Sequence, residues 1–271
     1  MPRSTRPTLF SLTPRSTAWH TLGRWSRGWW LVLRMGARVM VLAISPSTYR
    51  PNQRQLILRG CYLATRPMLP GFTLLTAIFA LVVIRIVLAA ALTYGLTRFA
   101  FDVLVRTLVL ELIPLSAALY VAVRYSLAEG EMIRMMRTAG QFKALLAQGR
   151  DPTRDIVVPR VLAGQFAVVA LTAVSGLVVL LLTYLSLYGF VTWGFAGFTR
   201  GVGQVIDPAT LLILAMKTFF MSLAVAVIPM VATSIDSEDQ GSRAHADLVR
   251  LARLLAVMLL IEIVALVGSY H

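Results

Sequence analysis

Five long apolar stretches, separated by shorter polar or glycine-rich segments, occupy most of the chain from about residue 71 to its end. Each is long enough to cross a bilayer, for which a helix needs roughly 20 mostly apolar residues. The pattern therefore predicts an all-α integral membrane protein with about five transmembrane helices. The predicted spans are 71–97, 104–127, 158–187, 208–233 and 249–268.

A different pattern precedes the first span. Residues 1–18 are rich in Pro, Ser, Thr and Arg and predict a disordered basic tail. Residues 19–46 predict an amphipathic helix that ends at Ser45 and Pro46. Its polar side carries Arg24, Arg27, Arg34 and Arg38, and its apolar side carries Leu22, Trp25, Trp29, Val32, Leu33 and Met40. We expect this helix to lie along the membrane interface, because a spanning orientation would place four arginines in lipid.

Composition and charge agree with a membrane protein. Hydrophobic residues make up 58% of the chain and charged residues only 14%, whereas roughly 25% charged is typical of soluble domains. The formal net charge is +14, and the first acidic residue in the chain is Asp102. The arginine-rich segment before Asp102, which has no acidic residue, suits binding to either nucleic acid or an anionic membrane surface. Because tryptophans alternate with the arginines and apolar spans follow, we expect a membrane surface and no nucleic-acid partner.

The basic loops predict the orientation of the chain. The loop between the second and third predicted spans contains Arg134, Arg137, Lys143, Arg150 and Arg154. Loops rich in Lys and Arg remain on the cytoplasmic side of a membrane. The N-terminus and this loop are therefore predicted to be cytoplasmic, and five crossings place the C-terminus on the opposite, periplasmic side.

The same loop predicts a second amphipathic helix, over residues 132–149. Met135, Ala139, Phe142 and Leu146 share one side of it at helical spacing. Asp151 can cap the turn that follows, and Pro152 suits a first helical position. Periodicity alone leaves two interpretations open, since the apolar stripe could dock a partner or rest on the bilayer surface.

No catalytic chemistry is predicted for this chain. Neither of its lysines, Lys143 and Lys217, lies in a phosphate-binding G-x-x-x-x-G-K-[ST] loop. The three histidines lack metal-ligand spacing and Cys61 is the single cysteine, so we expect no metal and no cofactor. Any ATP hydrolysis would come from another polypeptide.

Two stretches of sequence resemble a known family. ELIP-x5-YVAVRYS begins at Glu111, and QFKALLAQGRDPTRDIVVPRVLAG begins at Gln141. Together they resemble the MlaE (YrbE) family of ABC-transporter permeases, which are membrane subunits of lipid transporters that work with MCE-domain proteins. The resemblance runs in register over about 100–268 and includes Lys217 and Glu262. It marks residues 47–271 as a permease domain.

The resemblance implies a homodimeric, multi-pass permease of a bacterial inner membrane that moves phospholipid between its two copies. Its partners would be a cytoplasmic ABC ATPase and a periplasmic MCE-domain protein. The helix at 132–149 would be the coupling helix that seats in the ATPase. The residues expected to contribute to this coupling are Met135, Ala139, Gln141, Phe142, Leu146, Asp151 and Pro152.

This chain is a divergent member in several positions. Family glycines are replaced by Ile113, Val123 and Tyr125, and Gly140 stands where the family has a Glu before Gln141. Lost glycines imply bulkier packing where helices would otherwise approach closely.

Charged residues inside the spans predict where lipid would pass. A charged side chain deep in lipid costs at least ~2.5–3.5 kcal/mol, so such residues are expected to face a partner or a polar cavity. Arg85 and Glu111 could form a packing pair that fixes helix register, or Arg85 could meet a lipid phosphate that Glu111 orients. Pro114 frees the carbonyl of Leu110 and kinks its span. The lipid-cavity candidates are Arg85, Glu111, Pro114, Tyr120 and Glu262.

Two other functions remain open from the sequence. The intramembrane charges could form the relay of an ion or proton channel, which would need no ATPase. The chain could also be a structural membrane subunit without a substrate path.

Overall fold

The computed structural model of the chain describes residues 29–30, 33–45, 51–95, 97–235 and 243–269. Regular secondary structure in these residues is helical, without strands. Five of the helices are long and apolar enough to cross a membrane, which confirms the predicted all-α membrane fold. The first to fifth spans are Leu69–Tyr94, Ala100–Thr138, Thr153–Tyr188, Pro208–Val231 and Leu248–Gly268.

The second and third spans extend further than predicted on the side of the loop that joins them, which we call the loop side. The second span continues through Leu127–Thr138 because this segment is rich in Leu, Met, Glu and Arg, all good helix formers. The third span begins at Thr153 instead of 158. At 39 residues, the second span is about 58 Å long, well beyond the roughly 30 Å hydrocarbon core of a bilayer.

Two helices precede the first span. The first, α1, covers residues 33–44 and corresponds to the predicted amphipathic helix, whereas the predicted tail at 1–18 lies outside the described residues. Val39 on α1 is buried. A Cβ at Gly36 would lie 3.1 Å from Val227 of the fourth span. One side of α1 therefore packs closely on the protein, which the sequence pattern did not predict.

The second helix, α2, spans Pro51–Thr65 and was not predicted. It lies against the third span, where a Cβ at Gly60 would be 3.8 Å from Ala163. Its other side exposes Leu58 and Tyr62. This division into a protein-facing and an apolar exposed side suits a helix at the membrane surface.

The main core lies where the second, third and fourth spans meet. Small side chains dominate it, and they allow helices in a membrane to approach closely. Its buried members include Ala117, Ala118, Val121, Ala122, Ala163, Ala167, Val168, Val225 and Ala226. Tyr125, at a position where the family has Gly, packs against Gly164, whose Cβ would be 3.3 Å from the tyrosine ring. The missing side chain at Gly164 makes room for the larger residue.

Three π-helical segments interrupt the long helices: Val105–Leu112 and Ala122–Ser126 in the second span, and Thr153–Val157 at the start of the third. π-Helical turns are rare and occur often at functional sites. The first contains Glu111 and the second contains Arg124. Glu111 and Arg124 therefore both lie where the helix is locally widened.

The loop helix predicted at 132–149 is wrong as a single element. The second span ends at Thr138, Gly140 adopts a left-handed conformation with φ +78°, and a separate short helix covers Gln141–Ala147. Only glycine adopts this conformation without steric cost, so Gly140 ends the helical path. The break gives the short helix a direction of its own.

The connection between the third and fourth spans is also more ordered than a loop. It contains a 3₁₀ turn, Thr192–Gly194, and a helix, Phe195–Val205. The fourth span then begins with a capped Asp-Pro pair, in which Asp207 accepts a hydrogen bond from the backbone N–H of Thr210 at 2.8 Å.

Candidate functional site

Three spans bring one lysine and two glutamates together. Lys217 of the fourth span forms ion pairs with Glu111 of the second and with Glu262 of the fifth. Its Nζ lies 2.7 Å from Glu262 Oε1. The Lys217 side chain is only 2% exposed, against 29% for Glu111 and 12% for Glu262. We call these three residues the charged triad.

The backbone supplies a further partner for Lys217. Its Nζ also donates to the carbonyl oxygen of Leu110 at 3.1 Å. Pro114, one turn later, has no N–H with which to return the usual helical hydrogen bond to that carbonyl. The Leu110 carbonyl that Pro114 was predicted to free therefore accepts a hydrogen bond from Lys217 instead. All three donors of the ammonium group are used.

The triad carries more acceptors than donors. Two carboxylates face one ammonium group, and Glu262 Oε2 is buried without a hydrogen-bond partner among the described residues. A buried polar atom without a partner is costly. Glu262 Oε2 can therefore accept a hydrogen bond from a donor group of a ligand.

An apolar cavity of about 340 Å³ between the fourth and fifth spans borders Lys217, one member of the triad. Lys217 is the charged residue in its lining, which is otherwise formed by side chains such as Met216, Phe220 and Val264. A charged group at the edge of an apolar cavity matches a molecule with a polar head and hydrocarbon chains.

Of the two alternatives left open by the sequence for Arg85 and Glu111, the direct pair is not formed. Arg85 is exposed on the first span, no described residue pairs with it, and Glu111 is bound by Lys217 instead. Lys217 was not among the intramembrane charges that were expected to need partners. A lysine in the middle of the apolar fourth span was the signal that could have identified it.

Tyr120 lies apart from the triad. Its ring packs on Phe72 of the first span with centroids 5.2 Å apart, and its hydroxyl lies near Gly71. These contacts give Tyr120 a packing role between the first and second spans.

The residues predicted for coupling divide into two groups. Met135, Ala139, Gln141 and Leu146 are exposed on the loop side. Phe142, by contrast, is half-buried and packs against the main core.

Asp151 and Pro152 form part of the framework that holds the loop. Asp151 accepts a hydrogen bond from the Thr153 N–H at 3.0 Å, as a capping residue does. It also forms an ion pair with Arg38 of α1 at 3.1 Å, while Pro152 is buried. These contacts hold the start of the third span and the loop before it in place.

Comparison with known proteins identifies the family. A family model described as Permease MlaE matches residues 57–235, well over half of the chain. The match covers Glu111, Lys217 and the loop between the second and third spans, and it ends before Glu262. No curated protein matches the chain. The chain belongs to the MlaE permease family, and it is a membrane permease of a lipid transport system.

Proposed function

We propose that the chain is the membrane subunit of an ABC-type phospholipid transporter in a bacterial inner membrane. The observation that carries the proposal is the charged triad beside an apolar cavity, in a member of a lipid-transport permease family. A phospholipid has both parts that this site matches, namely a charged head group and hydrocarbon chains.

The triad supplies a place where a head group can be exchanged. Lys217 is held by two carboxylates and by the Leu110 carbonyl, so it can turn to a lipid phosphate without losing every internal partner. Glu262 Oε2 offers a free acceptor for the remaining polar atoms of the head group. Lys217 lies roughly 14 Å along the helix from Pro208, which places the triad in the half of the membrane away from the loop.

The ATPase of this transporter is a separate chain that docks on the loop side. Met135, Gln141 and Leu146 present an exposed, partly apolar surface there, suited to a groove in a partner. The basic loop and N-terminal region favour a cytoplasmic position for this surface. The C-terminus and an MCE-domain partner are then periplasmic, and a second copy of the chain completes the lipid cavity.

Transport by reconstituted protein tests the proposal. The full chain is placed in proteoliposomes with its ATPase, and ATP-dependent movement of a fluorescent phospholipid is measured. Glu262→Gln removes the free acceptor while keeping the size of the side chain, and we expect it to slow transport at least tenfold with ATPase binding unchanged. Thr218→Val, a change of similar size beside Lys217, serves as the control and should transport normally.

Other results would favour the alternatives. Ion conductance in liposomes that contain this chain alone would identify a channel. Normal lipid transport by the Glu262→Gln variant would remove the triad from the lipid path. Failure of the wild-type chain and ATPase to move lipid under any condition would indicate a structural subunit.

A further inference from the structure

A second cavity, of about 610 Å³, lies on the loop side of the molecule, far from the triad. It opens between α2 and the loop-side ends of the second and third spans. One wall is apolar and comes from α2, with Leu56, Leu63 and Ala64. The facing wall carries charged residues of the two spans. Its volume is within the range of small-molecule sites, and we call it the loop-side cavity.

Most charges in this cavity are already paired. Arg160 Nε donates to Glu129 Oε2 at 2.7 Å. Asp155 accepts hydrogen bonds from Gln53 at 2.8 Å and forms an ion pair with Arg150 at 2.8 Å. These contacts use both carboxylate oxygens of Asp155 and one oxygen of Glu129.

Arg124 is the exception. It lines the cavity, it is exposed, and no described residue forms an ion pair or hydrogen bond with it. A guanidinium group presents a planar fork of donors that matches the oxygens of a phosphate. The free cation of this cavity is therefore suited to a phosphate group.

An acceptor lies in the same cavity. Glu129 Oε1 has no hydrogen-bond partner among the described residues, since the contact with Arg160 uses Oε2. A carboxylate oxygen accepts hydrogen bonds from an ammonium group. A free guanidinium and a free carboxylate oxygen together match a ligand that carries both a phosphate and a primary ammonium group.

The backbone around the cavity is unusual. Arg124 and Tyr125 lie in the π-helical segment Ala122–Ser126, and Asp155 and Ile156 lie in the π-helical segment Thr153–Val157. Residues from two of the three π-helical segments among the described residues thus line the same cavity. Such segments occur often at functional sites, where they reposition side chains.

The depth of the cavity agrees with a lipid head group. Arg124 lies roughly 20 Å along the second span from Glu111, which is more than half the thickness of the hydrocarbon core. With the triad in the half of the membrane away from the loop, Arg124 falls near the head groups of the leaflet on the loop side. The apolar wall from α2 then faces the first carbons of the acyl chains.

We infer that the loop-side cavity binds the head group of an ammonium-bearing phospholipid from the leaflet on the loop side, with phosphate on Arg124 and ammonium on Glu129. The inference rests on the proposed function, in that it gives the transporter a second lipid site in the other leaflet. This site lies roughly 20 Å along the second span from the triad, toward the loop side, where a lipid can enter or leave the protein.

Photolabelling of the purified full chain tests the inference. A phosphatidylethanolamine with a photoreactive group near its head is activated, and labelled peptides are identified by mass spectrometry. We expect labels on residues 122–129 and 155–163, and Arg124→Gln should lower them at least fivefold. Arg59→Gln, an exposed arginine of α2 outside the cavity, is the matched control and should label normally.

Two further arms separate a built site from general attraction to lipid. Gly60→Leu fills the cavity without changing its charge and should lower labelling as much as Arg124→Gln does. Unlabelled phosphatidylethanolamine should compete at least fivefold better than phosphatidylglycerol, which has no ammonium group for Glu129. Undiminished labelling in either variant, or equal competition by the two lipids, overturns the inference.

The outcome is independent of whether the chain transports lipid, because labelling needs neither ATP nor an ATPase. Glu262→Gln, which is expected to slow transport at least tenfold, should leave labelling of the loop-side cavity unchanged. A loss of ATPase binding with normal labelling in Arg124→Gln would make the cavity a protein-docking surface and overturn the inference.

Discussion

Lys217 is the residue that holds the charged triad together. Its ammonium group joins the second, fourth and fifth spans through Glu111, Glu262 and the Leu110 carbonyl. A buried ion pair contributes little net stability by itself, but removal of one partner leaves the others uncompensated. Replacing different members of the triad should therefore lower the free energy of unfolding by different amounts.

Lys217→Met leaves two carboxylates close together without a counter-charge. We expect the free energy of unfolding to fall by about 3 kcal/mol. Glu262→Gln keeps an oxygen acceptor for Lys217 and removes the surplus negative charge, so its effect should remain within about 1 kcal/mol of the wild type. Unfolding of the purified variants in detergent measures both values, and equal stability of the two variants would contradict this account of the triad.

At the scale of single elements, Gly140 determines where the second span stops. Its φ of +78° costs a residue with a side chain roughly 1–2 kcal/mol. The short helix Gln141–Ala147 owes its direction to this break. The predicted single helix overlooked this, because the apolar residues keep helical spacing across the glycine.

Gly140→Ala should favour a continuous helix from the second span into Gln141–Ala147. We expect ATPase-coupled transport to fall several-fold, since Leu146 would point in a new direction, while the lipid cavities remain intact. Gly203→Ala is the matched control, because it lies in a helix with open space around its Cβ position and should transport normally. The contrast between the two variants in the proteoliposome assay tests the role of the break.

At the scale of the whole molecule, the proposed ATPase would dock on the exposed surface formed by Met135, Gln141 and Leu146. Phe142 is unsuitable for testing this, since it packs against the main core and a charge there would disturb folding. Leu146 is 62% exposed on the same helix. It is therefore the better reporter of docking.

Leu146→Asp should abolish capture of the ATPase by the tagged permease, because it places a charge in the apolar part of the surface. Gln148→Asp adds the same charge at an exposed position two residues later and should bind nearly as well as the wild type. Full capture by Leu146→Asp would show that the ATPase docks elsewhere. Size-exclusion chromatography of each variant checks that it remains folded.

The sequence predicted the spans well because each depends on a local property, a long run of apolar residues. It predicted the Asp151 cap and the effect of Pro114 on Leu110 for the same reason, since both act within one turn. The partner of Glu111 could not be read locally, because Lys217 is brought to it only by the packing of the fourth span. α2 was missed because its apolar side is interrupted by arginines and lacks the length of a span.

The π-helical segment Ala122–Ser126 has a mechanical consequence for this long second span. The part of the span that leads to Gly140 follows this segment in the chain, and Glu111 precedes it. Conversion of such a segment to regular α-helix shifts the register by one residue and turns everything beyond it by about 100°. A displacement at the Gly140 end of the span would thus reach Glu111 as a rotation, which gives the proposed ATPase a route to the opposite leaflet.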